Sequence, residues 1–138
     1  MLKSLHLFCL FAFATTFVAP TYAASGAMNP ASPAYFEAKV RPILASRCYT
    51  CHSQARMGKL RLDNAVDMME GGSRGRVIVP GDPERSILIA AIRHTDPQLK
   101  MPMAAPKLAP AEIAALVAWV KAGAVMPTGA RPSAVAIR

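Results

Sequence analysis

In the stretch CYTCH, Cys48 to His52, two cysteines stand three positions apart and a histidine directly follows the second. This feature constrains the fold most, because a chain with two thiols and an imidazole on one short turn must fold around whatever those groups hold. Three chemistries use such a cluster. A structural zinc site takes four ligands, so Cys48, Cys51 and His52 would have to recruit His94, and an adjacent Cys-His pair is not a standard zinc spacing. A thioredoxin-like C-x-x-C follows a strand in a βαβ unit, whereas a helical pattern precedes Cys48 and no βαβ unit is visible. C-x-x-C-H is the attachment signature of c-type haem. Two thiols add across the two vinyl groups as thioethers, and the two intervening residues set the separation of the sulfurs. The following histidine is held beside the ring plane, where its nitrogen can bind iron.

The compartment agrees with the third chemistry. Residues 1–23 carry one early lysine, Lys3, then an apolar run from Leu5 to Ala19, then Thr21 and Ala23 in the −3 and −1 places of a cleavage site. That is the layout of a secretory signal peptide. The apolar run is short for a bilayer span and is interrupted by Thr15 and Thr16, so no stable membrane span is expected after cleavage. Cys9 leaves with the peptide, and Cys48 and Cys51 remain. A disulfide between cysteines so close would close a tiny loop and give little stability, so the pair is expected to serve chemistry. Attachment of haem takes place outside the cytoplasm, and a periplasmic or otherwise exported location follows.

The chain has 138 residues, room for one domain, and a formal charge of +8. A basic surface steers acidic partners, which points to redox partner proteins with acidic docking faces. Export and the lack of an aromatic-plus-basic cluster argue against nucleic acid.

Residues 24–31 read as a flexible leader, residues 32–124 as the domain and residues 125–138 as a disordered tail. Ser32 is placed to cap a helix with Pro33 at its first position. Tyr35, Phe36, Val40, Ile43 and Leu44 give that helix an apolar face, and Pro42 is expected to kink or split it near Val40. An extended piece spans Lys59 to Leu62. Asp63 is placed to cap a short helix over Asn64 to Glu70, which Gly71-Gly72 ends. A second extended piece, Val77 to Val79, turns at Pro80-Gly81. Asp82 then caps a helix with Pro83 at its first position and an apolar face of Ile87, Leu88, Ala91 and Ile92. Prolines 97, 102 and 106 exclude regular helix from the next stretch. The last helix begins at Pro110, carries Ile113, Leu116, Val117 and Val120 on one side, and stops at Gly123. The sum is an all-α chain of about four short helices, with little strand and long ordered loops. So small a core gains much from a large apolar group at its centre.

His52 fills one axial position of the iron, and the other needs a second donor. Met68 and Met69 lie on a short helix, where methionine usually fills gaps. Met57 is too near the attachment loop to cross the ring, and Met126 lies in the tail. Met101 and Met103 lie in LKMPMAAPK, ahead of the last helix. Pro102 pushes Met101 into an extended backbone and stiffens the loop, which favours Met101 over Met103 as the distal ligand. His94 is the rival: bis-histidine iron has the lower potential, and His/Met ligation raises it. His94 is also explained as a helix C-terminal histidine that complements the dipole.

The blocks FEAKVRPILASRCYTCHS, GKLRLD, GG with VIVPGDPERSIL, LKMPM, and LAPAEIAALVAWVKAGA occur in that order between about Tyr35 and Ala124. In this ordered set the chain resembles the planctomycete-type cytochrome c domain, a branch of the class I-like c-type cytochromes. The resemblance implies a haem-wrapping all-α fold with terminal helices crossing near the haem. It implies Cys48 and Cys51 as thioether sites of one covalent haem c, His52 as proximal ligand and Met101 as distal ligand. The family usually has a second proline where this chain has Met103, which keeps Met103 beside Met101 as an alternative. Arg61 is placed to pair with a haem propionate or to stand in solvent. The Pro80 carbonyl is placed to accept the ring N–H of His52. Trp119 is expected against the haem edge or the first helix.

The expected function is that of an exported monohaem c-type cytochrome that carries single electrons. No general base, activated nucleophile or phosphate loop is visible, so the chain is expected to be an electron-transfer protein and not an enzyme. Two alternatives stay open: a haem enzyme or gas-binding sensor with a labile sixth ligand, and an electron-transfer subunit of a larger periplasmic oxidoreductase.

Overall fold

The computed structural model describes residues 27–103 and 105–128. The segment read as a signal peptide, the start of the leader, residue 104 and the tail from residue 129 lie outside the described residues. The fold is all-α, with about four helices and no strand among the described residues.

The first helix is one rod in three parts: α1 (Pro33–Tyr35), a π-helical turn (Phe36–Val40) and α2 (Arg41–Arg47). Its start follows the sequence signal, with the Ser32 hydroxyl accepting the Tyr35 N–H at 3.1 Å and Pro33 behind it. Pro42 neither breaks nor ends the rod. The turn ahead of it widens instead, and the Arg41 N–H reaches back to the Phe36 carbonyl. A π-turn is a recognised way for a helix to absorb such a misfit.

Helix α3 (Ala65–Glu70) is capped by Asn64 and not by Asp63: the Asn64 side-chain oxygen accepts the Asp67 N–H at 2.9 Å. Asp63 is occupied by Arg61 instead. Helix α4 (Ile87–Arg93) begins four residues after Pro83, later than the sequence pattern predicts. Asp82 caps only a local turn, its carboxylate accepting the Arg85 N–H at 3.1 Å. The Ser86 hydroxyl donates to the Asp82 carbonyl at 2.7 Å and accepts the Val79 N–H at 2.9 Å. The extended residues Val77 to Val79 are therefore satisfied by the start of α4, through Leu88 N–H to Val77 carbonyl at 2.9 Å, and not by another strand.

Helix α5 (Pro110–Lys121) has the predicted bounds, and Gly123 follows it at φ 104°, the left-handed stop. It packs against α4 and the π-turn. Trp119, fully buried, meets Phe36 with ring centroids 5.5 Å apart, so it lies on the first helix, one of its two expected places. Arg47 and Glu112 join the two helices again at 3.3 Å. The core draws on Phe36, Val40 and Leu44 from the first helix, Leu88, Ile89 and Ile92 from α4, and Leu116, Trp119 and Val120 from α5. The indole N–H donates to the Val125 carbonyl at 2.9 Å and Met126 packs on the core, so the chain stays engaged for at least two residues into the segment read as tail.

Candidate haem-binding site

The first helix delivers the chain into the CYTCH turn. Cys48 N–H still bonds the Leu44 carbonyl at 2.8 Å, and the N–H groups of Cys51 and His52 both reach the Cys48 carbonyl, at 3.1 and 2.9 Å. The backbone then folds back, with Met57 N–H to Cys51 carbonyl at 3.0 Å and Leu62 N–H to His52 carbonyl at 2.7 Å. Both cysteines are free thiols, Cys48 half-buried against the core and Cys51 exposed. Burial pushes the Cys48 thiol up to about 11, with the nearby Arg47 charge only partly opposing it.

The His52 Nδ1 lies 3.1 Å from the Met57 carbonyl oxygen. A carbonyl can only accept, so Nδ1 carries the proton and Nε2 keeps its lone pair, the form that binds a metal. The orienting carbonyl is Met57's and not that of Pro80. The reason is local: the turn from Cys51 to Met57 returns the chain to His52, while the residue after Pro80 is tied to α5 through Gly81 N–H to Val120 carbonyl at 2.8 Å.

The Met57 loop is itself supported. Arg56, Gly58 and Lys59 all have positive φ. The turn at Gly72–Gly75 presses on this loop, with Ser73 N–H to Gly58 carbonyl at 2.7 Å. A methyl group at Gly72 would stand 2.7 Å from the Gly58 oxygen and 3.0 Å from the Leu60 Cβ. The Gly71-Gly72 pair, read from sequence as a helix stop, is thus also the close contact that lets the second turn support the first.

Arg61 lies beside two carboxylates, forming a fork with Asp63 at 2.8 and 2.6 Å and a longer contact with Asp67 at 3.4 Å. The guanidinium that the sequence offers to a propionate or to solvent is thus engaged by two carboxylates of its own chain. Arg61 holds the Asp63 carboxyl below its ordinary value, against the opposing effect of burial.

On the other loop, Met101 is half-buried and Met103 is 79% exposed. Met57 is 53% exposed and Met68 1%, so Met68 packs in the core as its helical position predicts. The Met101 N–H donates to the Ala91 carbonyl at 3.1 Å, and its carbonyl lies 3.0 Å from His94 Nε2. His94, the rival ligand, therefore has Nε2 engaged on the backbone of Met101. No trio of His, Cys, Asp or Glu able to hold a metal gathers among the described residues.

The donor chemistry fits haem c: two unpaired thiols at the required spacing, one imidazole in its metal-binding tautomer and a half-buried thioether on a braced loop. Together with the helical fold, these features are what a c-type cytochrome requires. Residues 48–104 match the family model described as Planctomycete cytochrome C, the family that the sequence resembles. The matched span runs from Cys48 past Met101; the first helix and α5 lie outside it and pack on it. Comparison with curated proteins and with solved structures gave no match. No helix among the described residues is long and apolar enough to cross a membrane.

Proposed function

We propose that the chain is an exported monohaem c-type cytochrome that carries single electrons, with His52 and Met101 as the axial ligands of its iron. The observation that carries this reading is the hydrogen bond from His52 Nδ1 to the Met57 carbonyl, which holds the imidazole in one tautomer and one orientation. Cys48 and Cys51 would hold haem c as thioethers. Bound there, the haem supplies a one-electron ferric/ferrous couple whose potential the protein tunes by ligand, burial and hydrogen bonding.

The chain's own residues supply the rest. Met101 supports the distal assignment because both of its backbone polar groups are held and its side chain is half-buried, whereas Met103 stands in solvent. Two filled axial sites exclude small ligands, which suits a carrier.

The charge pattern fits a partner with an acidic docking face. Glu37, Asp63, Asp67, Asp82, Glu84, Asp96 and Glu112 all pair with arginines of the same chain. Lys39, Lys59, Lys100, Lys107 and Lys121 form no ion pair among the described residues, so the surplus positive charge is carried largely by free lysines that can steer association.

The test is an absorption spectrum of the protein matured with its haem, in both redox states. Covalent c-type bands with the weak far-red methionine–ferric iron band are expected, and Met101→Ala should abolish the far-red band. Covalent haem that lacks the band and binds carbon monoxide promptly when reduced would replace the carrier with a sensor or enzyme. Absence of covalent haem despite competent maturation would overturn the cytochrome assignment.

A further inference from the structure

His94 ends α4 in the left-handed region, at φ 60° and ψ 32°, with its N–H bonded back to Ala91 and the Thr95 N–H to Ala90. Glycine or asparagine takes that conformation at less cost than histidine. The helix it ends is firmly seated, since Leu88, Ile89, Ala91 and Ile92 are all buried. From this seat, two groups one turn apart reach the same residue. The Ala91 carbonyl accepts the Met101 N–H at 3.1 Å, and the His94 ring, protonated at Nε2, donates to the Met101 carbonyl at 3.0 Å.

We propose that His94 is a positioning residue for the sixth ligand: the end of α4 and the His94 ring clamp both backbone polar groups of Met101, and the ring's hydrogen bond sets how readily the thioether leaves the iron. The inference rests on Met101 as distal ligand. The clamp is a two-point hold, one point on each of the two peptide groups that flank the Met101 Cα. With the ring donor removed, the Ala91 bond still tethers the peptide before Met101, but the peptide after it can turn its carbonyl to water, and the Met101 Cα and its side chain are then held from one side only. The donor is a ring nitrogen on a side chain with only two torsions, so little freedom is lost in holding it. That explains a histidine where helix ending alone calls for glycine or asparagine.

The test compares His94→Asn and His94→Gln in the full chain matured with its haem. Asparagine suits the left-handed backbone but is too short to reach the Met101 carbonyl. Glutamine places an amide donor where Nε2 stands. His94→Asn should weaken or abolish the far-red methionine band, lower the midpoint potential and raise the equilibrium fraction of methionine-released iron. At subsaturating carbon monoxide the bound fraction of reduced protein should rise on the order of fivefold, the worth of one neutral hydrogen bond. His94→Gln should recover most of each signal, which a merely structural role would not produce. If His94→Asn keeps the wild-type band, potential and carbon monoxide resistance, or if glutamine fails to rescue a damaged asparagine variant, the clamp is wrong while the Met101 assignment stands. A wild-type protein without the far-red band overturns the Met101 assignment and the clamp with it. Loss of bis-histidine bands in both variants would make His94 the ligand itself.

Discussion

The two loops that carry the candidate ligands are held in different ways. The CYTCH loop is bonded mostly to itself: the Cys48, Cys51 and His52 carbonyls each receive an N–H from within the next ten or so residues, and its main outside support is the turn at Gly72–Gly75. The loop of Met101 is suspended from another element, the end of α4, by one backbone bond and one side-chain bond. A self-bonded loop persists as long as its own sequence does. A suspended loop moves with the bond that suspends it. The difference predicts a fixed proximal side and an adjustable distal side.

The largest effect should come from the scaffold that both loops share. Trp119→Ala removes the ring packed on Phe36 and the indole bond to Val125, and is expected to cost about 3–5 kcal/mol in urea unfolding. Both loops should loosen together, and a change confined to one of them would refute the shared scaffold. Gly72→Ala is smaller, about 1–3 kcal/mol, because the new methyl group must displace the Gly58 carbonyl and Leu60. It should disturb the His52 signals in a paramagnetic NMR spectrum before those of Met101. Equal disturbance of both would erase the distinction between the loops.

Acid should act next, on the proximal side. The Asp63 carboxyl is held below its ordinary 3.8 by Arg61. The pair therefore contributes in full above about pH 4, and the contribution is lost as pH falls through the lower folded value. Asp63→Asn should lower stability at neutral pH and flatten its decline as the pH falls below about 4; a decline as steep as in the parent would assign the acid sensitivity to other carboxylates. The smallest effect is expected from Met103→Leu, which alters a side chain in solvent. Spectrum and midpoint potential should stay unchanged, and loss of the far-red band would move the distal ligand from Met101 to Met103.

Much of this was legible because its causes are local. Ser32 with Pro33, and Pro110 with Gly123, mark helix ends by hydrogen bonds and torsions that reach only a few residues, and these ends stand where the sequence pattern puts them. CYTCH carries its chemistry in its spacing. The displaced features each involve competition between neighbours. Asp63 and Asn64 are both good caps, and Arg61 occupies Asp63, so Asn64 caps. Asp82 and Ser86 both offer helix starts, and the need to satisfy Val79 draws Ser86 into the extended segment.

By itself, then, the chain's sequence determined the helices, the thiol pair, the imidazole and a proline-stiffened methionine. Only the tertiary structure decided which carbonyl orients His52, why Gly72 has no side chain, and that His94 holds the Met101 backbone. Those decisions rest on atoms brought within about 3 Å by folding from positions that no periodicity links, and a hydrogen bond at that range depends on where the backbone lies and not on the residue's name.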